Sequence, residues 1–437
     1  MKLISYAIRA AMLAGLCSSA TLVSAGSLQE IYYKALDNDA QLKIAEATYR
    51  VNKEALPQAR GGLLPNIVAT ANTSYTSYSD DSDYDSYNNH GYTVSLVQPV
   101  FSAARWFTYQ QGQTLDEQAQ IRFDLAQQNL ILQTVDTYLN VLRAKSNLET
   151  AESQERAIKR RLDQVNAQFE VGLIAITDVH EAQASYDNAR VSLIEAEGAL
   201  DNSYEALERL TGETITQTDL LSPEYPIQEV SPAEPDSWLT KALTGNIGLQ
   251  LVKTDIEVAR KSAQIAKSGH MPTLDLSATY DRDKGSVSTD DWNESNVVGL
   301  TFSLPLYQGG ATSSRTRQAY AQMDVSMQTY EDTERAVKQA TRSLLRNVKT
   351  NVLSVFARQQ SIISSQAALD ATSEGFAVGT RNVVDVLAAE QALYAAKRDY
   401  ANARFDYVLN LFTFKQQIGT LSPEDLTSLD NWLIIQG

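Results

Sequence analysis

Apolar and polar positions alternate along this 437-residue chain with two different periods, and the order of those periods occurs twice. Residues 27–37 and 40–61 space their apolar residues as helices do, a short helix and then a longer amphipathic one. Pro57 is expected to kink the longer one near its end. Past Gly61-Gly62 the period drops to two: Ile67, Ala69, Ala71 and Tyr75 share one face, and Asn66, Thr70, Asn72 and Ser74 the other. A polar loop, 76–91, separates this strand from a second, in which Tyr92, Val94 and Leu96 alternate with Thr93 and Ser95 until Pro99. The later half repeats the pattern. Leu274, Leu276, Ala278 and Tyr280 alternate with Thr273, Asp275, Ser277 and Thr279. After a loop at 281–295, Val298, Leu300, Phe302 and Leu304 alternate with Gly299, Thr301 and Ser303, ending at Pro305. A helical period then takes over in each half, with no Pro or Gly from 113 to 171 or from 311 to 374.

The two halves are copies at an offset of 207 residues. FEVGLIAITDVHEA at 169–182 is echoed by FAVGTRNVVDVLAA at 376–389. Lys34-Ala35-Leu36 matches Lys241-Ala242-Leu243, Pro65 matches Pro272, Asn140-Val141 matches Asn347-Val348, and Gly212 matches Gly419. A register held from end to end marks a tandem duplication. Repeat 1 spans 26–211, with a β-hairpin at 66–98 and a long helical hairpin whose tip lies near 170–178. Repeat 2 spans 236–419, with a β-hairpin at 273–304 and a tip near 377–385. A proline-rich linker, 212–235, joins them, and a tail follows at 420–437.

After each tip the apolar seam steps strictly by three and four. It runs Val179, Ala182, Tyr186, Ala189, Leu193, Ala196, Leu200 in one repeat and Val386, Ala389, Leu393, Ala396, Tyr400, Ala403, Tyr407 in the other. Small residues at alternate seam positions let helices approach closely, so each hairpin reads as an antiparallel coiled coil. About 65 helical residues span roughly 100 Å, more than a globular core uses.

The N-terminus changes the picture of where this happens. Residues 1–25 have a signal-peptide pattern: Lys2 and Arg9 around an apolar run, then Val23-Ser24-Ala25 as a small-residue cleavage site. The single cysteine, Cys17, lies within it, so the mature chain has no thiol chemistry. No later run is long and apolar enough for a transmembrane helix, which leaves a β-barrel as the only spanning structure. Alternating strands also describe a soluble sheet with one wet face. Export, the near-equal length of the four strands, and the strand-end aromatics Tyr92, Phe101, Trp106, Tyr280 and Tyr307 favour the membrane. Four strands cannot close a barrel, so several chains must contribute, two giving eight strands or three giving twelve.

Charge and chemistry mostly exclude. A net charge of −16 argues against nucleic acid. His90, His180 and His270 are scattered, with no metal-ligand spacing. Asp81, Asp83 and Asp85 resemble a calcium loop, but Ser86 and Tyr92 stand where Gly and Glu are needed. No phosphate loop is present. These residues imply no enzyme, no metal and no cofactor. The readings left are a transport duct or a non-conducting, membrane-anchored coiled-coil scaffold or adhesin; the small and polar strand face suits a water-filled lumen.

The duplicated VGL…ITDV and VGTR…VVDVL turns and the SLPLYQGG border at 303–310 resemble the TolC family of outer membrane efflux proteins over essentially the whole mature chain. The resemblance implies a homotrimer in the outer membrane of a Gram-negative bacterium, with a long periplasmic extension. Three chains build a twelve-stranded barrel continued by a twelve-helix α-barrel, and the linker and chain ends form an equatorial belt. It implies an exit duct for tripartite efflux pumps and type I protein secretion, working with a periplasmic adaptor and an inner-membrane exporter of RND, ABC or MFS type. Asp385 matches the ring of aspartates at the narrowest point, and Thr177, Asp178 and Arg381 the network that holds the tips closed. Phe376 replaces the family's gate tyrosine and Ala388 its second ring aspartate. These departures lead us to expect an easier opening and weaker multivalent-cation binding. Adaptor contacts are expected at Gly172, Leu173, Gly379 and Thr380, although turn geometry alone accounts for the glycines. Asp178 and Asp385 also suit helix N-termini without any further role, and Asn382 could simply cap its helix.

Overall fold

The computed structural model describes residues 26–78, 86–232, 234–285 and 291–434; the signal segment and Asp80, Asp81, Asp83 and Asp85 of the acidic loop lie outside them. The described residues divide into two compact units, one drawn from 26–43, 127–242 and 339–434, the other from 44–126 and 243–338.

The second unit carries the sheet. Strands β1 (Asn66–Thr76), β2 (Tyr87–Ser102), β4 (Thr273–Lys284) and β5 (Trp292–Ser303) are antiparallel in the order β1-β2-β4-β5. Register makes the sheet two-faced. Ile67, Leu96, Ala278 and Val298 form one cross-strand row, and Leu276 and Leu300 extend that face. The row three positions along, Thr70, Thr93, Asp281 and Ser295, belongs to the opposite face, where Thr93 Oγ1 donates to Asp281. Val68 and Val297 also lie there, so this face is mixed rather than wholly polar.

The apolar face is uncovered: Val298 is 76% exposed, Leu300 66% and Phe302 65%. Aliphatic side chains in such a patch require an apolar surrounding. The strands run further into both loops than alternation suggested, to Tyr87, Lys284 and Trp292. Pro99 does not end β2. Pairing with β1 stops at Val97, so Pro99 needs only one partner strand, and the register with β4 shifts between Pro99 and Phe101. Trp106 belongs to the first turns of the following helix rather than to a strand.

Helices α2 (Ala40–Lys53) and α3 (Ala55–Gly61) replace the single kinked helix expected over 40–61. Pro57 cannot donate to the carbonyl of Lys53, and the break falls at Glu54. Helix α4 (Ala103–Glu170) passes α3 closely at Gly112, where a Cβ would stand 3.0 Å from that of Ala59. It meets α7 (Ile247–Ser268) through amides: Gln111 Nε2 donates to Ser262 Oγ at 2.6 Å, and Gln118 Nε2 to Asp255 Oδ1 at 2.7 Å.

The first unit holds α1 (Leu28–Asn38), α5 (Ile176–Thr211), α6 (Pro235–Gly245) up to residue 242, α8 (Ala311–Ala377) from residue 339, α9 (Val383–Gln417), α10 (Pro423–Asp430) and α4 from residue 127. The duplication reaches capping detail. Asp39 Oδ1 accepts from Leu42 N at 2.7 Å, and its counterpart Asn246 accepts from Leu249 N at 2.9 Å. Tyr138 is fully buried, and its hydroxyl donates to the carbonyls of Gly26 and Asp219 at 3.1 Å. Burial pushes its phenol well above the usual range. The linker strand β3 (Leu220–Leu221) pairs with the tail strand β6 (Leu433–Ile434). Trp238 of α6 stacks edge-on to Phe414 of α9 and donates to the Pro232 carbonyl at 2.7 Å.

Candidate functional site

The two tips are built by the same device. Glycine with positive φ ends each descending helix, Gly172 at +73° and Gly379 at +77°. At the first tip Gly172 N donates to Phe169 O and Leu173 N to Gln168 O; at the second, Gly379 N donates to Phe376 O and Thr380 N to Gly375 O. Both are Schellman closures, which satisfy the last helical carbonyls and require the left-handed conformation that glycine adopts without strain.

The ascending helices start differently. At α5 the N-cap is Ala175, with no side-chain cap, and Asp178 sits in the first turn. At α9, Asn382 Oδ1 accepts from Asp385 N at 2.8 Å while Asp385 Oδ2 accepts from Asn382 N at 3.4 Å, a reciprocal capping box. Asp385 therefore does cap its helix, and one oxygen also lies 3.8 Å from Arg381 Nη1.

All four helices share one core at the tips. Ile158, Leu162 and Val165 of α4, Ala182 and Ala189 of α5, and Val383 and Leu387 of α9 are buried together, with Phe376 of α8, Ile174, Val179 and Tyr186 against them. Phe376 contributes its ring to this cluster. The seam positions after each tip are buried or half-buried, as expected of coiled coils.

Around this core the predicted residues fall into two groups. Arg381 and Asp385 are brought together; Arg381 makes no ion pair to Asp178 among the described residues. Thr177 is exposed and Asp178 half-buried in the first turn of α5. Gly172, Leu173, Gly379 and Thr380 lie exposed at the apices, with Val171, Leu173 and Val378 at least 70% exposed.

Two features escaped the sequence reading. Arg161 Nη2 of α4 meets Glu390 Oε1 of α9 at 2.9 Å, with side-chain exposures of only 15% and 7%. Its signal was a carboxylate on the otherwise apolar stripe Val383, Leu387, Glu390, Tyr394. Burial raises the Glu390 carboxyl above the usual range, opposed by Arg161 and then Arg160. The second feature is Gly375, where a Cβ would stand 2.8 Å from Arg381 Cγ, so the arginine stem lies directly against it. Its counterpart in the first repeat is Gln168, a break in the duplication that could have drawn attention.

A sheet with an uncovered aliphatic face, joined in one chain to two helical hairpins with a shared tip core, defines a class: a duct protein anchored in an outer membrane. The outer membrane efflux protein family model matches the chain twice, at residues 31–213 and 238–420, again 207 residues apart. Outer membrane protein TolC of Vibrio cholerae is 34% identical over 435 residues, covering 98% of each chain. Alkaline protease secretion protein AprF of Pseudomonas aeruginosa is 30% identical over 90% of this chain and 85% of its own. Among solved structures, the outer membrane protein VceC of Vibrio cholerae superposes with a TM-score of 0.78 at 16% identity, covering 90% of this chain and 96% of that one. The chain belongs to the outer membrane efflux protein family. It is an outer-membrane exit duct of the Gram-negative envelope, with a long periplasmic helical part.

Proposed function

We propose that this chain works as a homotrimer, three copies joining their four-stranded sheets into one twelve-stranded barrel continued by twelve helices. The observation that carries this is the sheet itself: β1 and β5 have one partner strand each, and the face beside them is aliphatic and uncovered. An open edge cannot face lipid, so it must pair with another copy. The linker at 212–235 and the tail at 420–437 form the belt, which the β3–β6 pairing supports. The tips of repeats 26–211 and 236–419 form the closing end, with Asp385 as a ring of three carboxylates. Thr177, Asp178 and Arg381 face contacts between protomers, and Phe376 secures the tip through packing alone. Gly172, Leu173, Gly379 and Thr380 are presented to a periplasmic adaptor, itself coupled to an inner-membrane exporter of RND, ABC or MFS type. Small toxic compounds and secreted proteins leave through the lumen. The chain contributes no catalytic step, and the energy comes from its partners.

Single-channel conductance of the mature chain in a planar bilayer tests this, with Asp178→Ala/Arg381→Ala measured beside it. Discrete cation-selective steps, blocked by multivalent cations from the periplasmic side only, are the expected result. Silence of both proteins despite verified insertion would replace the duct with the scaffold.

A further inference from the structure

The Arg161–Glu390 pair joins the first hairpin to the second and belongs to none of the tip contacts assigned above. We propose that Arg161 is a positioning residue: its guanidinium lets Glu390 remain ionised between the hairpins, and so fixes α9, with Asp385 in its first turn, in one register against α4. The inference rests on reading the tips as the closing end of the duct.

The pair lies on the same two helix segments as the tip core. Leu162 and Val165 flank Arg161 on α4, and Val383 and Leu387 precede Glu390 on α9. Only one oxygen is matched, since Glu390 Oε2 and Arg161 Nε are buried without hydrogen-bond partners, while Arg161 Nη1 holds Gln164 Oε1 at 2.8 Å. A buried, half-satisfied pair adds little net stability, but separating its members strands a charge in the core. Such a contact therefore selects one register sharply and penalises the intermediate ones. The charged and titratable groups acting on Glu390 are Arg161 and Arg160 of α4 and Tyr394 of its own helix. Beside the pair, Gln391 donates to Ser185 of α5, and Tyr186 of α5 and Phe376 of α8 pack against the neighbouring apolar cluster. Arg161 is the only one of these cations in contact with the carboxylate. Without it Glu390 can stay buried only as the neutral acid, a state its burial already favours.

The test uses the full mature chain in planar bilayers with three variants. Arg161→Met is expected to raise the open fraction at neutral pH on the order of tenfold or more. Acidification to about pH 5 should reverse it, because the protonated carboxyl tolerates burial. Arg161→Met/Glu390→Leu should stay closed at both pH values, since an apolar pair of similar volume can replace a buried ion pair. The charge swap Arg161→Glu/Glu390→Arg should close like the unchanged chain. Loss of closure through misfolding would not reverse with pH. An Arg161→Met channel that stays closed at neutral pH, or is equally open at both, overturns the proposal while the Asp178→Ala/Arg381→Ala control still conducts. Silence of that control as well removes the duct reading, and this inference with it.

Discussion

Among the described residues Arg381 forms its ion pair with Asp385, and this has a consequence for cation block that runs against intuition. Replacing Arg381 by Ala should tighten block by a trivalent cation. The guanidinium stands 3.8 Å from the Asp385 carboxylate, with both side chains substantially exposed, so in the proposed ring it partly neutralises the field of each carboxylate. At roughly 6 Å in water-like dielectric, one such charge repels a trivalent ion by about 2 kcal/mol, which a Debye length of about 8 Å roughly halves. The three copies of the proposed trimer then amount to about 3 kcal/mol, on the order of a hundredfold in blocking affinity. Losing the pair itself alters tip stability little, because an exposed pair contributes only about 0.2–1 kcal/mol. The assay is a lanthanide titration from the periplasmic side at fixed ionic strength, with unitary conductance recorded alongside. Block that is unchanged or weaker at unaltered unitary conductance refutes the Arg381–Asp385 pairing and moves the guanidinium elsewhere, with Asp178 the first place to look.

Three further outcomes follow from the geometry. Asp385→Asn should abolish trivalent block while leaving thermal unfolding within about 1 kcal/mol, because an amide oxygen can still accept from Asn382 N and only the dipole and pair terms are lost. Val298→Arg, on the uncovered aliphatic face, should prevent insertion into liposomes by adding up to about 2–4 kcal/mol per copy; Thr301→Arg, on the opposite face, should insert normally, and equal behaviour of the two would mean the faces are assigned wrongly. Tyr138→Phe removes the buried hydroxyl that donates to the carbonyls of Gly26 and Asp219 and should lower stability by about 0.5–1.5 kcal/mol in thermal unfolding; a neutral result would show that water replaces the hydroxyl.

Legibility of the chain followed the range of the forces involved. Strands, helices and tips are local or repeat at a fixed offset, and they were readable from alternation, three-four spacing and the twin glycines. Strand ends were less so, because alternation fades where Asp281, Arg282 and Asp283 carry polar side chains on both faces while the ladder continues. Pro99 misled for a related reason: a proline ends a strand only if its missing donor has a partner to disappoint, and β1 has already stopped. Arg161 and Glu390 were invisible as a pair because they are brought together only by the packing of separate hairpins. The Asp385 cap was legible, being a contact between residues three apart.

The central ladder of the sheet joins residues that are far apart in the chain. Tyr92 of β2 pairs with Arg282 of β4, and between them lie the whole first helical hairpin, the linker and two further helices. Each β-hairpin is a local structure, but the ladder between them closes a very long loop, which makes it a slow, late step. During export the first aliphatic strands must therefore wait in the periplasm until the second pair arrives, with edges bare and apolar faces wet. Biogenesis of this protein is in that sense a problem of timing. Holding chaperones should bind β1 and β2 longest, and slowing export between residues 102 and 273 should raise aggregation more than a delay anywhere after 303.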